Sequence, residues 1–223
     1  MKAMILAAGR GERLLPLTES TPKPLVEVGG QTLLGRHLER LARAGFTRAV
    51  INVSHLADKI TARFGDGSRM GMRIDWSHET APLETAGGIA LARALLGPEP
   101  FLLVNADIWC DFAFSTLRGF ELGGNLSHLV LVPNPEQHPA GDFTLDNGIV
   151  GNAAAPRYTY AGIAVISPQL VTGVVAGSKA QLAPLWRAAA DRGQVTGELY
   201  EGHWSDVGTP ERLSALESRL KKT

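Results

Sequence analysis

The sequence predicts an α/β fold, a doubly wound and mostly parallel sheet with small antiparallel additions. Three observations point there. Short apolar runs alternate with amphipathic helical stretches through the first half of the chain, as parallel strands with right-handed helical crossovers require. The first run, Met4-Ile5-Leu6-Ala7-Ala8, stops abruptly at Gly9-Arg10-Gly11. From Asn125 onward the alternation gives way to closely spaced strands and turns. The 223 residues suit one domain, 1–223, with a sizeable core and a change of character near residue 125.

Each element follows from its local pattern. Val26 to Gln31 reads as a turn, and Leu33 to Ala44 as a helix. Leu34, Leu38, Leu41 and Ala42 share one face of it, and Gly45 is its C-terminal stop. Ala49 to Val53 is the next strand, Ala57 to Phe64 a helix, and Met72 to Ser77 a strand beyond the Gly65–Ser68 turn. Ala86 to Leu96 and Phe101 to Asn105 repeat the helix–strand unit. His128 to Val132 opens the antiparallel part. Asp142 to Leu145 and Tyr158 to Ile166 read as strands joined by a turn at Asn147-Gly148, a second wall over the site. Helices are expected at Pro168–Val175, Leu182–Arg192 and Pro210–Leu220, with short strands at Val195–Glu201 and His203–Val207 between the last two. Thr209 and Pro210 suit the cap and first position of the last helix. Only Lys221-Lys222-Thr223 should fray.

The chemistry concentrates at the carboxyl ends of these strands, where open α/β sheets bind ligands. Glycine at positions 9 and 11 permits positive φ and close backbone approach, and successive N–H groups there can cradle an anion. Arg13 and Lys23 add full positive charge, one as a planar fork and one as a mobile point charge. The third glycine of a dinucleotide loop is absent, Leu14 standing in its place, and so is Gly-Lys-Ser/Thr. The buried run Phe101 to Asn105 ends at Ala106-Asp107 and puts a carboxylate on the same sheet edge, where Mg²⁺ can be shared with substrate phosphates.

Composition narrows the class further. Lys plus Arg and Asp plus Glu both number 22, which gives no support to a nucleic-acid or membrane-surface partner. Cys110 is the sole cysteine, so neither a disulfide framework nor a cysteine-rich zinc site is available. No run approaches the ~20 apolar residues of a membrane span, and the opening leads into the glycine loop rather than a cleavage site. A cytoplasmic protein, monomeric or a small homo-oligomer, is expected. The six histidines show no paired metal-ligand spacing, and Trp76, Trp109, Trp186 and Trp204 read as packing residues.

The combined string Leu-Ala-Ala-Gly-x-Gly-x-Arg-Leu-x-Pro-Leu-Thr, then Pro-Lys-Pro-Leu, resembles the signature of the sugar-1-phosphate nucleotidyltransferases. That resemblance implies a Rossmann-like nucleotidyltransferase fold. It implies a nucleoside triphosphate wrapped by Ala8, Gly9, Gly11 and Glu12, with Arg13 and Lys23 on its phosphates and catalytic together with Asp107. Asn105-Ala106-Asp107 and Trp204-Ser205-Asp206-Val207-Gly208-Thr209 resemble the family's two metal motifs, which makes Asp107 and Asp206 the expected Mg²⁺ ligands. Leu83-Glu84-Thr85-Ala86-Gly87-Gly88 resembles the stretch that lies against base and ribose, so Glu84, Thr85 and Gly87 join the nucleotide site. The nucleotide part is then about 1–125 and the sugar part about 126–223.

The sugar site is read onto Asn105, Asp142, Asn152, Arg157 and Gly162. Arg157 is the one fork suited to a carboxylate among the polar residues between Pro133 and Tyr160. Two departures from the family pattern fall here and in the loop: Val150 to Pro156 lacks the usual sugar-phosphate lysine, and Leu15 replaces a basic or polar residue. The short length, with Pro-Leu-Glu-Thr, Gly-Asp-Phe and Tyr-Ala-Gly-Ile, looks most like members that join UTP to N-acetylmuramate 1-phosphate in bacterial cell-wall recycling. A mannose- or glucose-1-phosphate transferase using GTP or UTP stays open as an alternative, as does a catalytically silent nucleotide sensor.

Overall fold

The order of strands in the main sheet explains where a ligand can enter. A computed structural model describes residues 1–154 and 156–221. Ala155, Lys222 and Thr223 lie outside the described residues, and with the last two lies the expected frayed end. In chain order the elements are β1 (Ala3–Leu6), α1 (Leu17–Ser20), β2 (Glu27–Val28), β3 (Gln31–Thr32), α2 (Leu33–Arg43), β4 (Arg48–Val53) and α3 (Ala57–Phe64). Then come β5 (Arg73–His78), α4 (Glu84–Leu96), β6 (Phe101–Asn105), β7 (Ile108–Cys110), β8 (Ser127–Val132), β9 (Thr144–Asp146) and β10 (Ile149–Gly151). β11 (Thr159–Ile166), α5 (Ala183–Ala190), β12 (Val195–Leu199), β13 (Trp204–Asp206) and α6 (Pro210–Leu220) complete the described chain.

Nine strands form one sheet in the order β5-β4-β1-β6-β11-β8-β12-β10-β9. β5, β4, β1 and β6 run parallel. The chain leaves β1 toward β4 and β5, then returns across it to β6. The crevice between the ends of β1 and β6 is therefore the switch point at which doubly wound sheets bind ligands. Side chains on β1 alternate as strand geometry demands. Ala3 and Ile5 join the apolar layer that holds Leu34, Leu38 and Leu41 of α2 and Ile60 and Phe64 of α3. Met4 faces the opposite layer, with Ala86, Ile89, Ala92 and Leu96 of α4 and Trp186 and Ala189 of α5. The sheet is thus covered on both faces, as the alternation predicts.

The second half continues this sheet rather than standing over it as a second wall. β11 pairs antiparallel with β6 and with β8, and the register slips between Tyr160 and Ala164. The Asn147-Gly148 turn does not join the Asp142 strand to the Tyr158 strand as expected. It closes a tight hairpin between β9 and β10, since Asn147 and Gly148 both take positive φ (47° and 80°), the conformation of a two-residue hairpin loop. The expected helix Pro168–Val175 is only a 3₁₀ turn, Pro168–Val171. Beyond it the chain runs exposed to Gln181 apart from half-buried Val174 and Ala180. A separate two-stranded ribbon, β7 with β13, pairs Asp206 with Ile108 and lies beside the switch point.

Candidate active site

The glycine loop is held open by its neighbours. Gly11 has φ 69°, and a Cβ there would fall 2.9 Å from the Thr18 methyl. Thr18, buried, donates its hydroxyl to the Gly11 carbonyl at 2.9 Å. Gly9 has nothing within 4 Å of the place its Cβ would take, so its backbone faces open space. The loop lines a cavity of ≈ 840 Å³ together with Glu12, Arg13, Lys23 and Asp107, in the size range of sites for nucleotide-sized ligands. Ala8, Glu84, Thr85 and Asn105 line the same cavity. Most residues expected at the nucleotide therefore converge on one cleft.

Two short elements set the charged groups. The 3₁₀ turn Lys23–Leu25 aims Lys23 inward, and its Nζ lies 2.6 Å from Asp107 Oδ2. Val207 N–H donates to the Asp107 carbonyl oxygen at 2.7 Å. The ribbon therefore brings Asp206, nearly a hundred residues later in the chain, alongside Asp107. Asp206 Oδ1 accepts from Gln137 Nε2 at 3.0 Å, and Oδ2 lies 3.3 Å from Arg212 Nη2. α2 grips the ribbon from beneath: His37 Nε2 donates to the Ile108 carbonyl at 2.9 Å, and Arg40 donates to the carbonyls of Cys110 and Phe112. Burial pushes His37 down to about 4, with Arg40 and Arg36 acting in the same direction. Burial also pushes the Cys110 thiol up, which leaves it inert packing.

Among the described residues no three His, Cys, Asp or Glu side chains gather as a metal cluster. Asp107 lines the cleft and Asp206 does not, but the backbone bond from Val207 to Asp107 sets Asp206 on the neighbouring strand of the ribbon, and each carboxylate is paired with a cation. Such hard oxygens suit an ion that takes its remaining ligands from water and substrate phosphates, the usual habit of Mg²⁺.

Other expected residues go elsewhere. Gly87 does not line the cleft. Its N–H donates to the Ala180 carbonyl at 3.1 Å, and a Cβ would meet the Ser178 carbonyl at 2.3 Å, so the small residue admits the 178–180 strap. Asn152 donates to the Arg187 carbonyl and to Asp191 at the end of α5. Arg157 folds onto the carbonyls of Ala153 and Asn152. Asn152 thus ties its loop to α5, and Arg157 completes the hydrogen bonding of its own loop. Asp142 accepts from the Tyr160 N–H at 2.8 Å and contacts His138 at 3.0 Å. Gly162 lies at the β11 irregularity with φ 79°, against Asn105 and Ile108.

Sequence reasoning missed five residues at or beside the cleft. Asn52 and Glu79, both buried, sit at the ends of β4 and β5 and line the cleft. Lys179, on the strap, lies 3.5 Å from Glu84 at its rim. Gln137 and Arg212 hold Asp206. Only Asn52 carried a signal, a lone amide inside the apolar run Ala49 to Val53.

The nucleotidyl transferase family profile matches residues 2–140. The chain is 45% identical, over 98% of its length and 97% of the relative's, to the N-acetylmuramate alpha-1-phosphate uridylyltransferase of Neisseria meningitidis serogroup B. It is 36% identical to the enzyme of the same name from Caulobacter vibrioides, over 98% of this chain and 96% of that one. The mannose-1-phosphate guanyltransferase beta-A of Xenopus laevis is 32% identical over 94% of this chain, which spans 62% of that longer protein. Among solved structures, HddC from Yersinia pseudotuberculosis complexed with GMP-PN shares the fold at TM-score 0.79 and 21% identity, over 98% of both chains.

Proposed function

We propose that this chain, which belongs to the nucleotidyl transferase family, joins UTP to N-acetylmuramate α-1-phosphate and releases UDP-N-acetylmuramate and pyrophosphate. One observation carries the reaction class: the glycine loop, Lys23 and Asp107 meet in a single cleft at the switch point, with Asp206 fastened alongside. The choice of substrates rests on the two relatives of nearly equal length that bear that name.

In this reading a phosphate oxygen of the sugar phosphate attacks the α-phosphorus of UTP in line. The new P–O bond forms as the bond to the β-phosphate oxygen breaks. The attacking oxygen is already ionised, so no side chain need remove a proton. Backbone N–H groups around Gly9 and Gly11 cradle the triphosphate. Arg13 and Lys23 offset the charge that gathers on the transferring and leaving groups. Asp107 and Asp206 would hold Mg²⁺, which would supply neutralisation of phosphate charge. Positioning and electrostatics then supply the rate. Thr85 and Glu84 lie on the base and ribose side, and Asn105 and Gly162 lie on the sugar side. A UTP-consuming enzyme of this kind works in the cytoplasm.

The test is a panel of UTP, GTP and dTTP against N-acetylmuramate, N-acetylglucosamine, mannose and glucose 1-phosphates, scored by pyrophosphate release with and without Mg²⁺. UTP with N-acetylmuramate 1-phosphate should give the highest kcat/KM, and chelation should abolish it. Mannose or glucose 1-phosphate ranking first would overturn the substrates and leave the transferase class standing. No release with any pair would favour the silent sensor.

A further inference from the structure

One half-buried cation beside the cleft has no part in the proposed reaction. Arg212, in the first turn of α6, folds back so that Nη2 lies 3.3 Å from Asp206 Oδ2, with its side chain 19% exposed. Nε and Nη2 have no hydrogen-bond partner among the described residues. Gly208 makes room for it: a Cβ there would fall 2.0 Å from Arg212 Nη2 and 3.2 Å from Arg13 Nη2. The two guanidinium groups thus approach the same backbone position, and Gly208 itself lines the cleft. Lys23 stands in the same relation to Asp107, at 2.6 Å. Each carboxylate offered to a metal is therefore held by a cation of the chain.

We propose that Arg212 is a positioning residue that occupies Asp206 in the free protein and moves onto the triphosphate, beside Arg13, when metal and nucleotide arrive together. The inference rests on the function proposed above. A metal ion on Asp206 would repel the guanidinium that now faces the same carboxylate oxygen. Once displaced, a half-buried fork is best satisfied by anionic acceptors, and phosphate oxygens fit it in pairs. Gln137 stays on the other oxygen of Asp206 and preserves its orientation through the exchange. Metal alone therefore binds weakly, because it must evict Arg212 with no phosphate to receive it. Metal and triphosphate bind jointly.

The experiment measures Mn²⁺ binding to the whole protein without nucleotide, by electron paramagnetic resonance, and UTP binding with Mn²⁺ present, by calorimetry. Arg212→Gln should tighten Mn²⁺ alone by about tenfold and weaken UTP by a similar factor, the scale of one charge-assisted contact. Arg212→Lys should restore both toward wild type. It also carries the test, through intermediate values, if the glutamine variant fails to fold. Unchanged Mn²⁺ affinity in a folded Arg212→Gln protein overturns the exchange, whatever happens to UTP. A wild-type protein that binds no UTP would overturn the proposed substrate, and the Mn²⁺ arm would still decide whether Arg212 competes for Asp206.

Discussion

Asn52 and Glu79 share a buried hydrogen bond of 2.6 Å that ties three strand ends to the helix beyond them. Asn52 Oδ1 also accepts from the Ala7 N–H at 2.9 Å, and Glu79 Oε2 from the Leu83 N–H at 3.0 Å. The ends of β1, β4 and β5 and the start of α4 are thus fixed by two side chains. Gly88 of α4 packs directly on the pair, since a Cβ there would fall 2.6 Å from Glu79 Oε1. Asn52→Ala leaves a buried backbone donor and a buried carboxylate short of partners. The expected loss is about 2–3 kcal/mol in urea unfolding, the cost of orphaned buried polar groups. A loss below ~0.5 kcal/mol would show that the network does not hold the loop.

Asp107, just before the ribbon, and Asp206 within it should behave as a unit. Asp107→Asn and Asp206→Asn should each remove most turnover, and the double variant should be little worse than either, because groups that serve one ion lose function non-additively. Near-wild-type pyrophosphate release from Asp206→Asn would separate Asp206 from the metal.

Arg13→Ala and Lys23→Ala should lower kcat more than they raise the KM for the sugar phosphate. Preorganised charge facing a changing phosphate is worth ~3 kcal/mol per donor, or roughly a hundredfold in rate. An effect of Arg13→Ala on the KM of the sugar alone would move that side chain to the other substrate.

What the sequence made legible was whatever interrupts a pattern locally. The glycine loop breaks an apolar strand, and Asp107 ends another; both lie at the strand ends where the topology puts the cleft. Asp206 was legible only through its resemblance to a family motif. The sugar side resisted, for a physical reason. The partners of Asn152 are Arg187 and Asp191, 35 and 39 residues away, and Arg157 turns back on its own loop. Nothing in spacing reports where a long polar side chain will find its acceptors. Gln137 and Arg212 were hidden by the same freedom. The β9–β10 hairpin was missed because β10 is three residues long, too short to show alternation.

Stability should fall in acid through His37. Its folded value of about 4 lies below the ordinary 6.5, so the unfolded chain binds the extra proton first. The stabilising contribution is fully present above about pH 6.5 and is lost as the pH falls toward 4, amounting to about 3 kcal/mol when complete. His37→Gln, which can still donate to the Ile108 carbonyl, should flatten the dependence of Tm on pH across that window. An unchanged slope would assign the acid sensitivity to other groups.

The last prediction separates two roles for Gly87, a nucleotide contact and a packing site. The strap is held by three backbone hydrogen bonds: Ala180 N–H to Leu83 O at 2.9 Å, and the Ala86 and Gly87 N–H groups to Ala180 O at 2.9 and 3.1 Å. A methyl group at position 87 would fall 2.3 Å from the Ser178 carbonyl, a contact with backbone that no side-chain rotation relieves. Gly87→Ala should therefore lift the strap and expose the Lys179–Ala180 bond, now protected because both backbone groups of Ala180 are engaged. Tryptic cleavage after Lys179, followed by mass spectrometry, should speed up several-fold, the open population growing as these bonds weaken. UTP affinity should fall as well, since Lys179 would leave the rim and its contact with Glu84. Unchanged cleavage with weakened UTP binding would instead return Gly87 to the nucleotide.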